Sequence, residues 1–315
     1  MNFTLNVLGT ASAKPSANRN SSAQVLDVRG RLFLIDCGEG TQRQFCRQHL
    51  SFERVDAIFI SHIHGDHIFG LFGLLSTVGL ATRRASVRIF GPNSLGPVLK
   101  FFLSYFGEQL GISIDFTPVK AKAPKVIFEN KFMTVEAFPL NHRIETYGYL
   151  FREKTPQLNV CKSAIEEYGL GVAEICSLKN GEDVVLLDGD GAPVQRIPNA
   201  DVTFLPYRPR SFAYCSDTAP FPELSEWVRG VNLLYHETTY MADMEKEAAE
   251  RYHSTTVQAA RCAHEAGVGK LIAGHYSSRY RDTAPLLAEL RSIFPNSFAA
   301  NDGDVFDVPL ETFKK

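Results

Sequence analysis

Six cysteines (Cys37, Cys46, Cys161, Cys176, Cys215, Cys262) are scattered with no Cys-x-x-Cys pair, which argues against a disulfide framework or a thiolate zinc site and leaves reduced, mostly packed thiols. Charge of one sign is also lacking: 33 Lys and Arg against 35 Asp and Glu give a net charge of −2. That balance excludes a globally basic nucleic-acid binder and leaves room only for local basic patches. Long hydrophobic runs are absent, since stretches such as residues 58–60 and 71–75 fall far short of the ~20 apolar residues of a membrane span. The opening residues 1–9 lack the basic flank and apolar stretch of a signal peptide, so a cytoplasmic location is expected, with no membrane partner. No internal repeat or low-complexity tract occurs. What is present is a chain of 315 residues, 44% hydrophobic, long enough for one large α/β domain or two modest ones around a substantial core.

Short β-rich runs bounded by turn residues recur at 3–8, 23–28, 31–36, 57–60, 86–90, 134–137 and 147–151, and again at 212–215, 232–235, 270–273 and 304–308. Helical periodicity marks 65–78, 97–108, 241–252, 256–266 and 285–293, two of these opening on proline. Strand-rich sheets with helices outside imply a layered α/β sandwich. Residues 152–210 read differently, with a short helical candidate at 163–168, acidic runs at Glu182-Asp183 and Asp188-Gly189-Asp190, and several prolines. This stretch is expected to be an insertion forming a protruding arm, with a pair of ordinary edge hairpins as the equal alternative.

The chemistry concentrates in Ser61-His62-Ile63-His64-Gly65-Asp66-His67, three imidazoles and a carboxylate within six residues, directly after an apolar stretch. His62 and His64 are two apart, so on an extended segment they point to one side and can share an ion. Gly65 lets the chain bend, and Asp66 and His67 open a helical run that aims them at a second, adjacent position. Neutral imidazole with carboxylate oxygen is a ligand set that suits zinc, and burying four such groups without a partner would cost several kcal/mol, about the scale of an unpaired polar group. Further ligand-type residues follow other strand-like runs: His142 after 135–141, Asp217 after 211–216 and His275 after 271–274. In open α/β sheets the carboxyl edge is where ligands gather. Asp217 can bridge two cations ~3.5–4 Å apart, the spacing of two-metal hydrolases; alone, it would serve equally well as a turn residue. A second group, His236-Glu237-Thr238-Thr239 and His253-Ser254-Thr255, is not needed for the metal positions. One of its imidazoles is free to donate a proton, oriented by a carboxylate such as Glu237. His49 and His264 stand without such company and are expected to be structural.

Taken together these residues resemble the ribonuclease Z family of metallo-β-lactamase-fold endonucleases, which remove 3′ trailers from precursor tRNAs. The likeness runs nearly end to end, from Leu8-Gly9-Thr10 and the stretch 15–22 through Asp36-Cys37-Gly38-Glu39-Gly40-Thr41-Gln42-Arg43-Gln44, the histidine run, Asn141-His142, Ser216-Asp217-Thr218, His236-Glu237-Thr238-Thr239 and His253-Ser254-Thr255 to Gly274-His275 and Arg279-Tyr280. The histidine-aspartate run marks only the superfamily, whereas the Glu-Gly-Thr-Gln-Arg-Gln, His-Ser-Thr and Ser-Ser-Arg-Tyr elements point to this family. The resemblance implies a single domain over 1–315, a four-layer αββα sandwich with an arm within 152–210, and two zinc ions per subunit, with manganese also acceptable to the ligands. By the same resemblance His62, His64 and His142 hold one metal and Asp66, His67 and His275 the other, Asp217 and a water or hydroxide bridging them. Asp66 acts as general base, His253 oriented by Glu237 as proton donor, and Arg19 lies in the loop that senses the tRNA 3′ end. Hydroxide attack would leave a 3′-hydroxyl on the tRNA and a 5′-phosphate on the trailer, and family members commonly pair as homodimers. This chain departs from the family in Thr238, where alanine is usual, and in an arm tip at 168–174 that has glycines but no proline. The alternative is a hydrolase of small phosphodiesters, sulfate esters or lactones on the same metal pair. The arm, the loop around Arg19 and the cluster Arg83, Arg84 and Arg88 discriminate the two, those arginines being either phosphate contacts or a solvated face.

Overall fold

A computed structural model describes residues 1–81 and 86–313. Strands β1 (Phe3–Gly9), β2 (Ala23–Val28), β3 (Arg31–Ile35), β4 (Val55–Phe59), β5 (Ser86–Gly91) and β6 (Ser113–Pro118) come first, then β7 (Lys125–Glu129), β8 (Met133–Pro139) and β9 (Tyr147–Glu153). Short strands β10 (Asn159–Val160), β11 (Val184–Leu187), β12 (Pro193–Ile197) and β13 (Thr203–Phe204) precede β14 (Ser211–Cys215), β15 (Leu233–Glu237), β16 (Leu271–Gly274), β17 (Ser297–Ala299) and β18 (Val305–Asp307).

Two seven-stranded sheets result, in the orders β18-β1-β2-β3-β4-β5-β6 and β17-β16-β15-β14-β9-β8-β7. The first turns from antiparallel to parallel at β3, and the second is parallel from β14 to β17. Strands β2, β4, β14, β15 and β16 are buried along their whole length, so apolar residues dominate both of their faces instead of alternating with polar ones. Their inner faces meet through Phe33, Phe59, Phe151 and Phe212, with edge-on ring contacts such as Phe59 to Phe151 at 5.3 Å. Outside the first sheet, Leu34, Ile58 and Ile89 pack on Phe45, Leu74 and Leu99 of the helices Thr41–Arg47, Leu71–Ala81 and Leu95–Phe106. Outside the second, Ala213, Leu234 and Leu271 pack on Leu224, Ala260 and Leu290 of the helices Glu223–Trp227, Thr256–Glu265 and Ala284–Ile293. Helix, sheet, sheet, helix is the four-layer αββα sandwich.

The helix expected over 65–78 is broken in two, Gly65–Ile68 and Leu71–Ala81. The cause lies at Gly70, whose N–H donates to the Cys37 carbonyl at 2.9 Å and where a Cβ would stand 2.1 Å from the Gly38 carbonyl oxygen. The chain passes too close to the β3 exit for a continuous helix there. The run 241–252 likewise opens as a 3-10 turn, Ala242–Met244, before the helix Glu245–Arg251. Strands β6, β7 and β17 were not apparent in the sequence, and all three are sheet edges. Edge strands bury less surface; β6 and β7 carry Ser, Asp, Thr, Lys and Glu in place of an apolar run.

Contacts within the chain divide it into two compact units, Met1–Arg152 with Ser211–Val308, and Glu153–Arg210 with the segment from Pro309. The second unit has its own small core of Ala164, Leu170, Leu178, Val184, Ile197 and Val202. It contains the helices Lys162–Tyr168 and Val172–Lys179, the antiparallel pairs β10/β13 and β11/β12, and a buried bidentate pair in which Arg210 donates to both Glu153 carboxylate oxygens at 2.8 and 3.0 Å. Gly169 ends its first helix at φ 62°, a conformation that glycine adopts without strain.

Candidate metal centre

The ends of strands from both sheets deliver the polar side chains. Ser61 and His62 follow β4, His142 follows β8, Asp217 follows β14, Glu237 ends β15 and His275 follows β16. Asp66 and His67 come from the short helix Gly65–Ile68. Seven expected ligands from these segments converge in two groups that share one member.

In the first group His62 Nε2 lies 3.0 Å from His64 Nδ1, which lies 3.4 Å from His142 Nε2, while Asp217 Oδ2 is 3.6 Å from His62 Nε2 and 3.9 Å from His142 Nε2. In the second, His67 Nε2 and His275 Nε2 are 3.2 Å apart, both within 3.6 Å of Asp66 Oδ2, and Asp217 Oδ1 is 3.5 and 3.2 Å from them. Atoms held ~2.0–2.1 Å from a tetrahedral zinc stand about 3.3 Å from one another, so these separations are close to the edges of two coordination polyhedra joined at Asp217. Asp217 Oδ1 is buried and accepts no hydrogen bond. A carboxylate oxygen in that state is costly unless a cation faces it. The residues therefore fit two divalent ions, and imidazole with carboxylate suits zinc.

Electrostatics agree. Burial pushes the pKa of His62 well below normal and lowers those of His64 and His142, leaving these rings in the neutral form that binds metal. At His67 burial also opposes protonation, but Asp217, Asp66 and Asp36 outweigh it and pull the ring up to about 10. Three carboxylates around one imidazole define a place that demands positive charge, which a metal supplies better than a proton. Asp66 is desolvated too, yet His67, His275 and the Ala13 N–H, donating at 2.7 Å, hold it well below the usual carboxylate range.

Next to this centre, His253 donates from Nδ1 to Glu237 Oε1 at 2.9 Å. Burial disfavours its charge, but the Glu237 carboxylate raises it to about 9. Glu237 is itself immobilised: Oε1 also accepts from the Thr218 and Ser254 N–H groups, and Oε2 from the Thr239 N–H and hydroxyl. Of the two imidazoles that could have served, the structure brings His253 to the centre and turns His236 away. His49 and His264 are exposed and outside the cluster. Arg19 donates to the Tyr280 carbonyl at 2.9 Å and lies over the Tyr276 ring at 4.7 Å. Arg83 and Arg84 lie outside the described residues, and Arg88 is engaged with Asp56 at 2.8 Å and stacked on Phe128.

Comparison with known proteins places this arrangement. The ribonuclease Z of Bacteroides fragilis is 41% identical over 300 residues, covering 95% of this chain and 97% of that protein. The chain belongs to the ribonuclease Z family. Its fold matches the crystal structure of the short form of human tRNase Z with a TM-score of 0.70 at 24% identity, over 97% of this chain and 99% of that one. The metallo-β-lactamase-fold protein YhfI from Bacillus subtilis matches at 0.67 with 17% identity, over the same shares of the two chains. A family model described as Anti-Pycsar protein Apyc1 matches residues 3–155, less than half of the chain. The metallo-β-lactamase fold is thereby established.

Reading the sequence did not assign the groups that hold the ligands in place. Asp36, fully buried, accepts from His67 Nδ1, the Tyr214 hydroxyl and the Ser61 hydroxyl at Oδ2 (2.8, 2.7 and 2.8 Å) and from the Ser61 N–H at Oδ1 (2.7 Å). It fixes the tautomer of His67, leaving Nε2 toward Asp66, Asp217 and His275, where a metal would be held. Thr239 does the same for His275, whose Nδ1 lies 3.0 Å from its hydroxyl. An aspartate closing the apolar run of β3 was the available signal for Asp36; nothing local marks Thr239.

Proposed function

We propose that this chain is a dinuclear zinc endoribonuclease that removes 3′ trailers from precursor tRNAs. The observation that carries the reading is the coincidence of kinship to ribonuclease Z over 95% of the chain with the ligand groups His62, His64, His142, Asp217 and Asp66, His67, His275, the latter two histidines lying within 3.5 Å of Asp217 Oδ1. Bound there, two zinc ions would acidify water and offset the charge that builds on the phosphoryl oxygens. The protein residues have distinct tasks. Asp66 accepts a proton at Oδ1, the oxygen without a protein partner among the described residues, while Oδ2 faces His67, His275 and the Ala13 N–H. His253, kept protonated by Glu237, donates from Nε2 to the departing 3′ oxygen, a contribution of roughly 10²–10⁴-fold. The products are a 3′-hydroxyl on the tRNA and a 5′-phosphate on the trailer.

Arg19 is assigned to sensing the RNA 3′ end, because Tyr276 and Tyr280 hold it in a fixed pose a few residues from His275. Residues 152–210 are assigned to the family's arm, which grips the tRNA elbow; their independent small core supports this. A homodimer is assigned to the helices Leu71–Ala81 and Leu95–Phe106, which leave Leu80, Phe101 and Tyr105 exposed. No helix among the described residues is long and apolar enough to cross a membrane, and the cytoplasm is the proposed compartment.

The test is to incubate zinc-loaded protein with a 3′-extended tRNA transcript and, separately, with a bis-aryl phosphodiester, and to map the RNA ends. A single cut at the trailer junction, lost in His62→Ala and Asp66→Ala, supports the assignment. Turnover of the small ester with an intact transcript would instead favour a small-phosphodiester hydrolase.

A further inference from the structure

The outer face of the second sheet carries a cavity that the cleavage chemistry does not use. It has a volume of 480 Å³, within the roughly 300–1,000 Å³ of small-molecule sites, and its walls include Phe221, Leu224, Ser254, Arg261 and Cys262. His236 forms part of its lining. In register with Cys215 and Ala273, both packed under the helices, His236 projects outward from β15, away from the metal centre. Only 1% of the residue is exposed, and its Nδ1 donates to the Glu237 carbonyl at 2.7 Å. That hydrogen bond sets the tautomer: Nε2 carries a lone pair and has no protein partner among the described residues.

Unpartnered in a cavity whose walls also carry Phe221, Leu224 and Cys262, His236 Nε2 can accept from a donor that enters it. The mouth adds a preference, for it bears the exposed carboxylates of Glu245 and Glu265 against the single guanidinium of Arg261. We propose that this cavity is a second ligand site, for a small aromatic cation that donates an N–H to His236 Nε2 and turns its positive charge toward Glu265 and Glu245. An anion would face the net negative mouth and find no donor at the floor. The cavity also touches the cleavage machinery, since Ser254 lines it while its N–H binds Glu237 Oε1 at 3.0 Å and its hydroxyl the Thr218 carbonyl at 2.7 Å.

The probe is tryptamine, whose indole N–H and ammonium have the required chemistry; indole-3-acetate, of similar shape and opposite charge, is the control. Histidine ring nitrogens of the zinc-loaded full chain are followed by NMR during titration, with the His236 signal identified by its loss in His236→Gln. Tryptamine is expected to shift His236 Nε2 saturably, with indole-3-acetate at least about tenfold weaker. Cys262→Phe, which fills the cavity, is expected to abolish the shift. Glu265→Gln, an exposed change that leaves the fold alone, weakens it about threefold, the scale of one exposed ion pair. No saturable shift up to about 10 mM tryptamine, equal binding of the two indoles, or an unchanged shift in folded Cys262→Phe would each overturn the site. Because binding is read directly, failure here leaves the ribonuclease assignment standing, and failure of RNA cleavage leaves this site standing.

Discussion

Asp36→Asn isolates what the buried support of a metal ligand is worth. The four donors on Asp36 divide unequally, three on Oδ2 and one on Oδ1. An asparagine can keep its oxygen under the three and must then turn an NH2 toward the Ser61 N–H, donor against donor. The backbone adds nothing to the cost, because Asp36 sits at φ 55°, a conformation that asparagine tolerates. Loss of charge on the remaining bonds and the opposed Ser61 N–H and asparagine NH2, neither with an acceptor, together predict a destabilisation of roughly 2–4 kcal/mol. His67 also loses the anion that holds Nδ1–H, so zinc affinity is expected to fall about 10–100-fold, the usual consequence of removing such a partner. Urea unfolding of the metal-free protein gives the first number, and a zinc titration against a competing chelator gives the second. RNA cleavage should return when zinc is supplied in excess, because no group that touches substrate has changed. If Asp36→Asn bound zinc as tightly as the parent, the claim that Asp36 orients His67 would be refuted.

Three further outcomes follow from the same geometry. His253→Ala should slow single-turnover cleavage of a 3′-extended tRNA about 10²–10⁴-fold with little change in RNA affinity; an equal loss in both would contradict the proton-donor role. Chelation of zinc should lower the melting temperature by about 10 °C, reversibly, since a ligand present at ~1,000 times its Kd contributes about 4 kcal/mol, and an unchanged melting curve would mean that the ligand groups do not bind metal. Gly70→Ala should destabilise the fold by about 1–3 kcal/mol, because its Cβ would meet the Gly38 carbonyl oxygen at 2.1 Å, backbone that cannot swing away; a neutral result by calorimetry would show that the helix break is not forced by this approach.

The candidate metal ligands stood out in the sequence because metal coordination restricts the side chains to a few types and the strand ends restrict where they stand. His62 through His67 declare themselves by density, and His142, Asp217 and His275 by following apolar runs, as ligands at a sheet's carboxyl edge must. The inner strands were legible for a related reason: buried on both faces, β4, β14 and β16 are mostly apolar. The groups behind the ligands were harder to see. Asp36 and Thr239 stand 31 and 36 positions from His67 and His275 in the chain, and only the packed sheets make them neighbours. The residues by themselves left the choice between His236 and His253 open, and only the family resemblance named His253. The choice depends on strand alternation, which turns His236 to the helices while Glu237 reaches the interior beside His253.

Backbone strain gathers at the same place. Four of the non-glycine residues at positive φ sit around the centre: Ala13 at 63°, whose N–H binds Asp66; Asp36 at 55°; Tyr252 at 59°, whose carbonyl accepts from His142 Nδ1; and His275 at 58°. Each such conformation costs on the order of 1–3 kcal/mol, and none would persist unless its surroundings imposed it. Here the imposition comes from the two sheets, whose buried aromatic interior fixes the ends of β3 and β16, and from the partners that each strained residue contacts. The strain has a use. A relaxed backbone at 275 would carry the imidazole off the line toward Asp66 and Asp217, and a relaxed Tyr252 would withdraw the carbonyl that fixes the His142 ring. The large core thus offsets local conformations that the chain would otherwise avoid, and the result is a set of candidate ligands already at coordinating distance from one another, so that a metal binding there would spend little of its binding energy on gathering them.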